Sequence, residues 1–174
     1  MSGFQPPPRH ADDARSAETL LHILTDTTPA PLHGARLDHL GVAVQDLEEG
    51  LRHYQRLYGL APVHIETVVD QGVREALLIL GDTALQLVAP LGNDTPVGRF
   101  LERRGPGLHH LGLEVDDVAA TLQALRHEGV QLVDHVPRVG SWGATIGFIH
   151  PTGALGVLIE LVEAGTGARQ RRGE

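Results

Sequence analysis

The chain has no cysteine and no lysine, and its 14 basic residues are all arginine. The first absence excludes thiolate catalysis, thiolate metal sites and a disulfide framework. The second excludes Schiff-base chemistry, a pyridoxal-phosphate lysine and the lysine of a phosphate-binding P-loop. Long apolar runs are missing too, none approaching the ~18 residues of a membrane span. Positive charge is in deficit: 14 arginines against 22 carboxylates leave a formal charge of −8, the opposite of a nucleic-acid footprint. No basic segment leads into an apolar one near the amino end, so no secretory leader is expected and a cytoplasmic location is. The chemical inventory that remains is eleven histidines, 22 carboxylates, hydroxyls and whatever metal they hold.

A length of 174 residues suits one domain or two small modules fused without a linker. Residues 1–36 read as an irregular arm, broken by Pro6-Pro7-Pro8 and by Thr27-Thr28-Pro29-Ala30-Pro31, with one short helix possible from Ser16 to Leu24. Residues 165–174 read as a polar, frayed tail. Residues 37–164 carry an internal repeat. Asp38-His39-Leu40-Gly41-Val42-Ala43-Val44 returns 71 positions later as His109-His110-Leu111-Gly112-Leu113-Glu114-Val115. Each run reads as a strand leading to a helix-capping aspartate. The helices that follow carry Leu47, Leu51, Tyr54, Leu57 and Tyr58, then Val118, Leu122 and Leu125, and stop at Gly59 and Gly129, as a left-handed terminal residue requires.

Three strand-like segments follow each helix: about 63–69, 73–80 and 83–88, then about 131–136, 144–149 and 156–162. Gly81-Asp82 marks a tight hairpin, and Thr95-Pro96 opens a linking helix over about 95–104. The expected fold is therefore α+β: module 1 over about 37–90, module 2 over about 108–164. These two tandem βαβββ units are expected to form curved mixed sheets around a shared cleft.

The repeat places His39 and His110 on the first strand of each copy, and Gln86 and Glu160 on the last. Polar groups inside Leu/Val/Ile strands are costly unless paired, and recurrence at equivalent points argues against packing alone. Two imidazoles, an amide and a carboxylate form a mixed N/O site for a divalent first-row ion, with Co²⁺, Mn²⁺, Ni²⁺ and Zn²⁺ all compatible. Strand alternation puts Asp38 and His109 on the face away from these ligands.

Over residues 37–163 the sequence resembles the vicinal oxygen chelate superfamily and, within it, the methylmalonyl-CoA epimerases. The resemblance rests on the two histidine strands, on Pro137-Arg138-Val139-Gly140-Ser141-Trp142-Gly143 and on Phe148-Ile149-His150-Pro151, and two segments are particular to the epimerases: Asp70-Gln71-Gly72-Val73-Arg74-Glu75 and Gly156-Val157-Leu158-Ile159-Glu160-Leu161-Val162. The resemblance implies a glyoxalase-like fold and metal ligands at His39, Gln86, His110 and Glu160. It implies one divalent ion per chain, Co²⁺ first, an acyl-CoA substrate and a homodimer. It also implies a second catalytic carboxylate, Glu75, so that Glu75 and Glu160 flank the carbon that inverts. Arg138 and Gly140-Ser141-Trp142-Gly143 become candidate substrate contacts, although a surface ion pair and a plain turn are the alternatives. Trp142 and Phe148 read as core or cleft lining, His150-Pro151 as a strand-end anchor, and Arg103-Arg104 as a solvated helix end.

The sequence departs from the epimerase pattern at Thr145 and Thr152, where basic residues are common. Rival readings are a glyoxalase I-like lactoylglutathione lyase, another metalloenzyme of the superfamily such as a dioxygenase, and a metal-free binding or resistance protein.

Overall fold

The computed structural model describes residues 30–166. The helix expected within 16–24 and the tail beyond 166 lie outside the described residues. The first module runs β1 (Arg36–Ala43), α1 (Leu47–Tyr58), β2 (Pro62–Val68), β3 (Val73–Leu80) and β4 (Thr83–Pro90). Helix α2 (Pro96–Arg104) leads to the second: β5 (Gly107–Val115), α3 (Val118–His127), β6 (Arg138–Val139), β7 (Thr145–Ile149) and β8 (Leu158–Glu163). The strands join one curled mixed sheet in the order β2-β3-β4-β1-β5-β8-β7-β6. The first and last strands of each module are parallel neighbours, and the modules meet where β1 runs antiparallel to β5.

Local sequence accounts for the helix ends. The Asp46 carboxylate accepts from the Glu49 N–H at 2.7 Å and that of Asp117 from the Ala120 N–H at 2.8 Å, each satisfying a donor the first turn leaves free. Thr95 caps α2 with Pro96 behind it. Gly59 closes α1 at φ 68°, a conformation that penalises any Cβ. Leu57 and Tyr58, expected on the apolar face of α1, stay exposed; Leu47 and Gly50 are the residues it buries, and Leu51 and Tyr54 pack at its margin.

Each module has its own core beneath its helix. Leu47, Leu78, Leu85 and Leu87 pack in the first, and Val118, Leu122, Ile149 and Leu161 in the second. Because side chains alternate along a strand, burying Leu85 and Leu87 under α1 turns Gln86 to the inner face. Burying Leu161 under α3 does the same for Glu160.

The segment 131–136 does not form the expected strand. It contributes one isolated bridge, Leu132 to Ile149, and the short β6 pairs with β7 instead. Pro137 removes a ladder donor, and the Asp134 carboxylate, rather than a backbone carbonyl, takes the Phe148 N–H at 3.0 Å. Among the described residues no helix is long and apolar enough to cross a membrane.

Candidate metal centre and acid–base site

The antiparallel seam of the two modules sets the geometry of the site. His39 lies opposite Gly112, and Gly41 opposite His110. Each imidazole therefore lies across the glycine of the other module's His-Leu-Gly run. A Cβ on Gly41 would sit 2.0 Å from His110 Cε1, and one on Gly112 2.3 Å from His39 Cε1. The repeated glycine thus exists to admit the partner ring, a role hidden in the sequence although its recurrence was visible. Gly41→Ala is expected to displace His110, costing about 1–3 kcal/mol of stability through overpacking together with metal affinity. Thermal melts and Co²⁺ titration check both.

His39 Nε2 and His110 Nε2 are 3.0 Å apart and lie 3.1 and 3.2 Å from Glu160 Oε2. All three residues are buried. Two imidazole nitrogens and a carboxylate oxygen about 3 Å from one another fit adjacent corners around one ion with bonds of about 2.1 Å. The carboxylate-plus-imidazole set has no thiolate, as expected of a first-row divalent site. Burial pushes Glu160 toward its neutral form, but its bonds to His110 and His39 outweigh that and hold it well below the ordinary carboxylate range. Burial likewise pushes His39 down, and is overcome by bonds to Asp38 and Glu160 that carry it to about 10. His110 is held down chiefly by burial. The cluster is built to surround positive charge.

Asp38 and His109 do not point away from the ligands. The β1/β5 ladder slips between Leu37 and His39 and again between Gly41 and Val42, so Asp38 on β1 and His109 on β5 are the extra residues of two bulges. A bulge breaks alternation and re-aims a side chain. Asp38 Oδ2 consequently lies 2.9 Å from His39 Nδ1, and His109 Nδ1 lies 2.9 Å from His110 Nδ1. The Asp38 carboxylate, 1% exposed, accepts the Nδ1 proton of His39 and so leaves Nε2 as the donor atom facing Glu160. Asp38→Asn is expected to weaken metal binding about 10–100-fold, measurable by calorimetric titration of Co²⁺.

Glu75 on β3 reaches the same cavity from the first module. Its Oε1 accepts from Gln86 Nε2 at 3.1 Å, which leaves the Gln86 carbonyl oxygen as the atom available to an ion. Burial, countered by a bond from the Ser141 hydroxyl and reinforced by the charge of Glu160, raises Glu75 to about 7. Glu75, Gln86, His110 and Glu160 line one cavity together with Gln71. The Gln71 Nε2 atom is buried there without a hydrogen-bond partner in the structure. Gln71 stood in the segment that carried the family likeness, yet nothing in its local pattern marked it as a cavity donor.

The remaining candidates divide. Ser141 and Trp142 line a second hollow with His39, Glu75 and Gln86, and the Trp142 N–H donates to Glu66 Oε1 at 2.7 Å while its ring stacks on His64. Gly140 and Gly143 flank that turn; a Cβ on Gly140 would meet Ile146 at 2.6 Å, and Gly143 has φ 75°. Arg138 is committed to Asp134 at 3.1 Å and lies over the Phe148 ring. His150 follows β7 and caps the short turn after it, its Nδ1 accepting from the Thr152 N–H.

The model of the glyoxalase/bleomycin resistance protein/dioxygenase superfamily matches residues 38–148. A methylmalonyl-CoA epimerase structure from Mycobacterium tuberculosis is 45% identical, with a TM-score of 0.70, over 73% of this chain and 86% of that one. A Streptomyces coelicolor methylmalonyl-CoA epimerase variant, in complex with 2-nitronate-propionyl-CoA, is 39% identical with a TM-score of 0.71, over 74% and 97%. An ethylmalonyl-CoA/methylmalonyl-CoA epimerase of Cereibacter sphaeroides is 33% identical over 72% of this chain and 96% of its own.

Proposed function

The chain belongs to the glyoxalase/bleomycin resistance protein/dioxygenase superfamily, and we propose that within it this protein is an isomerase that interconverts the (2R) and (2S) forms of methylmalonyl-CoA. The observation that carries the reading is a second buried carboxylate, Glu75, which lines one cavity with His110 and Glu160 of the His39–His110–Glu160 cluster. Inversion at a carbon requires a proton to leave one face and another to arrive on the opposite face, and two carboxylates across a cavity meet that demand.

His39, Gln86, His110 and Glu160 would hold the ion, with Co²⁺ the first expectation and Mn²⁺, Ni²⁺ or Zn²⁺ compatible with the same donors. When bound it supplies Lewis-acid polarisation of the substrate's carbonyl and carboxylate oxygens, which acidifies the C2 proton. Glu75 takes the proton from one face of C2 or returns it there. Glu160 serves the other face through an oxygen not engaged with the ion. Gln86, through its bond to Glu75, keeps that carboxylate turned into the cavity. Gln71 Nε2 gives a substrate oxygen the donor it needs once water is displaced. The acyl-CoA is the partner, and a homodimer in the cytoplasm is the expected state.

A glyoxalase I-like lyase would place the same groups around a glutathione hemithioacetal. A stereospecific assay separates the two: metal-loaded protein is expected to convert (2S)- to (2R)-methylmalonyl-CoA and stripped protein not to. Turnover of the hemithioacetal alone would move the assignment to the lyase.

A further inference from the structure

We propose that a groove along α2 binds the phosphate groups of the substrate's coenzyme carrier, through Arg99, Arg103 and Arg104. The inference rests on the acyl-CoA reading above and deepens it. The groove, about 590 Å³, counts His109 and His110 among its lining residues, so it adjoins the donor cluster at His110. Phe100 lines the groove too, its ring centroid 4.9 Å from that of His109. Helix α2 buries Val97, Gly98 and Leu101 against the sheet, while Arg99, Arg103 and Arg104 stay exposed and all three line the groove.

Charge distinguishes this face. Arg36, Arg74 and Arg138 are each paired with a carboxylate, whereas Arg99, Arg103 and Arg104 have none within ion-pair distance among the described residues. Arg99 donates instead to the Asp94 carbonyl. The neighbouring acid, Glu102, borders a different hollow. In a chain of net charge −8, three arginines gathered on one cavity wall create a local positive field. The negative pole of α2 accounts for cations at its last turn, but not for Arg99 or for their common outlook.

The other wall is apolar. Leu108 and Val157 are 58% and 38% exposed and both face the groove. A ligand that satisfies both walls is part aliphatic and part anionic. A thioester of a phosphorylated carrier has that layout, and binding energy gained far from C2 helps to orient the acyl end.

The test compares methylmalonyl-CoA with methylmalonyl-pantetheine, which keeps the thioester and lacks every phosphate. Wild type is expected to favour the CoA thioester in kcat/KM. The triple variant R99A/R103A/R104A should lose that preference by about tenfold per arginine removed, mostly through KM. R126A, an exposed arginine on α3, controls for general charge and should leave the preference as it is. A preference that survives the triple variant, or falls equally with R126A, overturns the proposal. Calorimetry with coenzyme A and with 3′,5′-ADP reads the groove without turnover: binding lost in the triple variant supports the assignment, and equal binding overturns it. Should wild type convert neither thioester, the epimerase reading falls alone, and the calorimetry still decides the groove.

Discussion

Glu75→Gln is expected to slow inversion at C2 by about 10²–10⁴-fold, the usual contribution of a positioned acid–base group, while metal content and melting temperature stay near wild type. Glutamine keeps the volume of the side chain and can still pair with the Gln86 amide, whose Nε2 lies 3.1 Å from Glu75 Oε1. It cannot take a proton. The change therefore removes chemistry and leaves the donor cluster of His39, His110 and Glu160 untouched. Since the two carboxylates serve opposite faces, the variant should still exchange the C2 proton of one stereoisomer with solvent while failing to invert it. Exchange and inversion both unaffected would strip Glu75 of its role and leave the metal assignment standing.

His110→Ala should have an effect at least as large, by another route. His110 supplies one of three converging donors, and its ring fills the space above Gly41. Without it Glu160 keeps only His39 as a partner in the cluster, and both remain buried. The variant is expected to bind Co²⁺ too weakly to purify with it and to lose about 10³-fold or more in turnover, since Lewis-acid stabilisation is worth several kcal/mol. Atomic absorption on dialysed protein, beside the stereospecific assay, reads the two effects together. Retained metal with lost activity would mean that His110 touches the substrate instead.

The contrast between these residues and the rest shows what the sequence made legible. The internal repeat exposed His39 and His110, 71 positions apart, and Gln86 and Glu160 at matching points of the last strands, 74 apart, because polar side chains in apolar strands are costly and four at equivalent points are not chance. The capping aspartates and the glycine at the end of α1 were equally readable, being local. Asp38 and His109 were misplaced because alternation holds only while the ladder stays in register, and two bulges at the module seam break it. The segment 131–136 was misread for a related reason. Its apolar residues suit a strand, but an aspartate side chain takes the backbone donor that pairing would have used. Arg103 and Arg104 read as a solvated helix end, because the face a helix turns to a groove depends on how it docks on the sheet. Thr145 and Thr152 stand where basic residues are common in the epimerases. The cations on α2, in the same groove that His150 and Pro151 border, answer that deficit.

The central claim is that two carboxylates flank one carbon beside a metal. Proton NMR of methylmalonyl-CoA in D₂O tests it directly, following the C2 proton and the C2 stereochemistry in one sample of Co²⁺-loaded protein, with an enzyme-free control. The account predicts metal-dependent loss of the C2 proton signal accompanied by inversion. No exchange above the control, in protein shown to hold its metal, would contradict it.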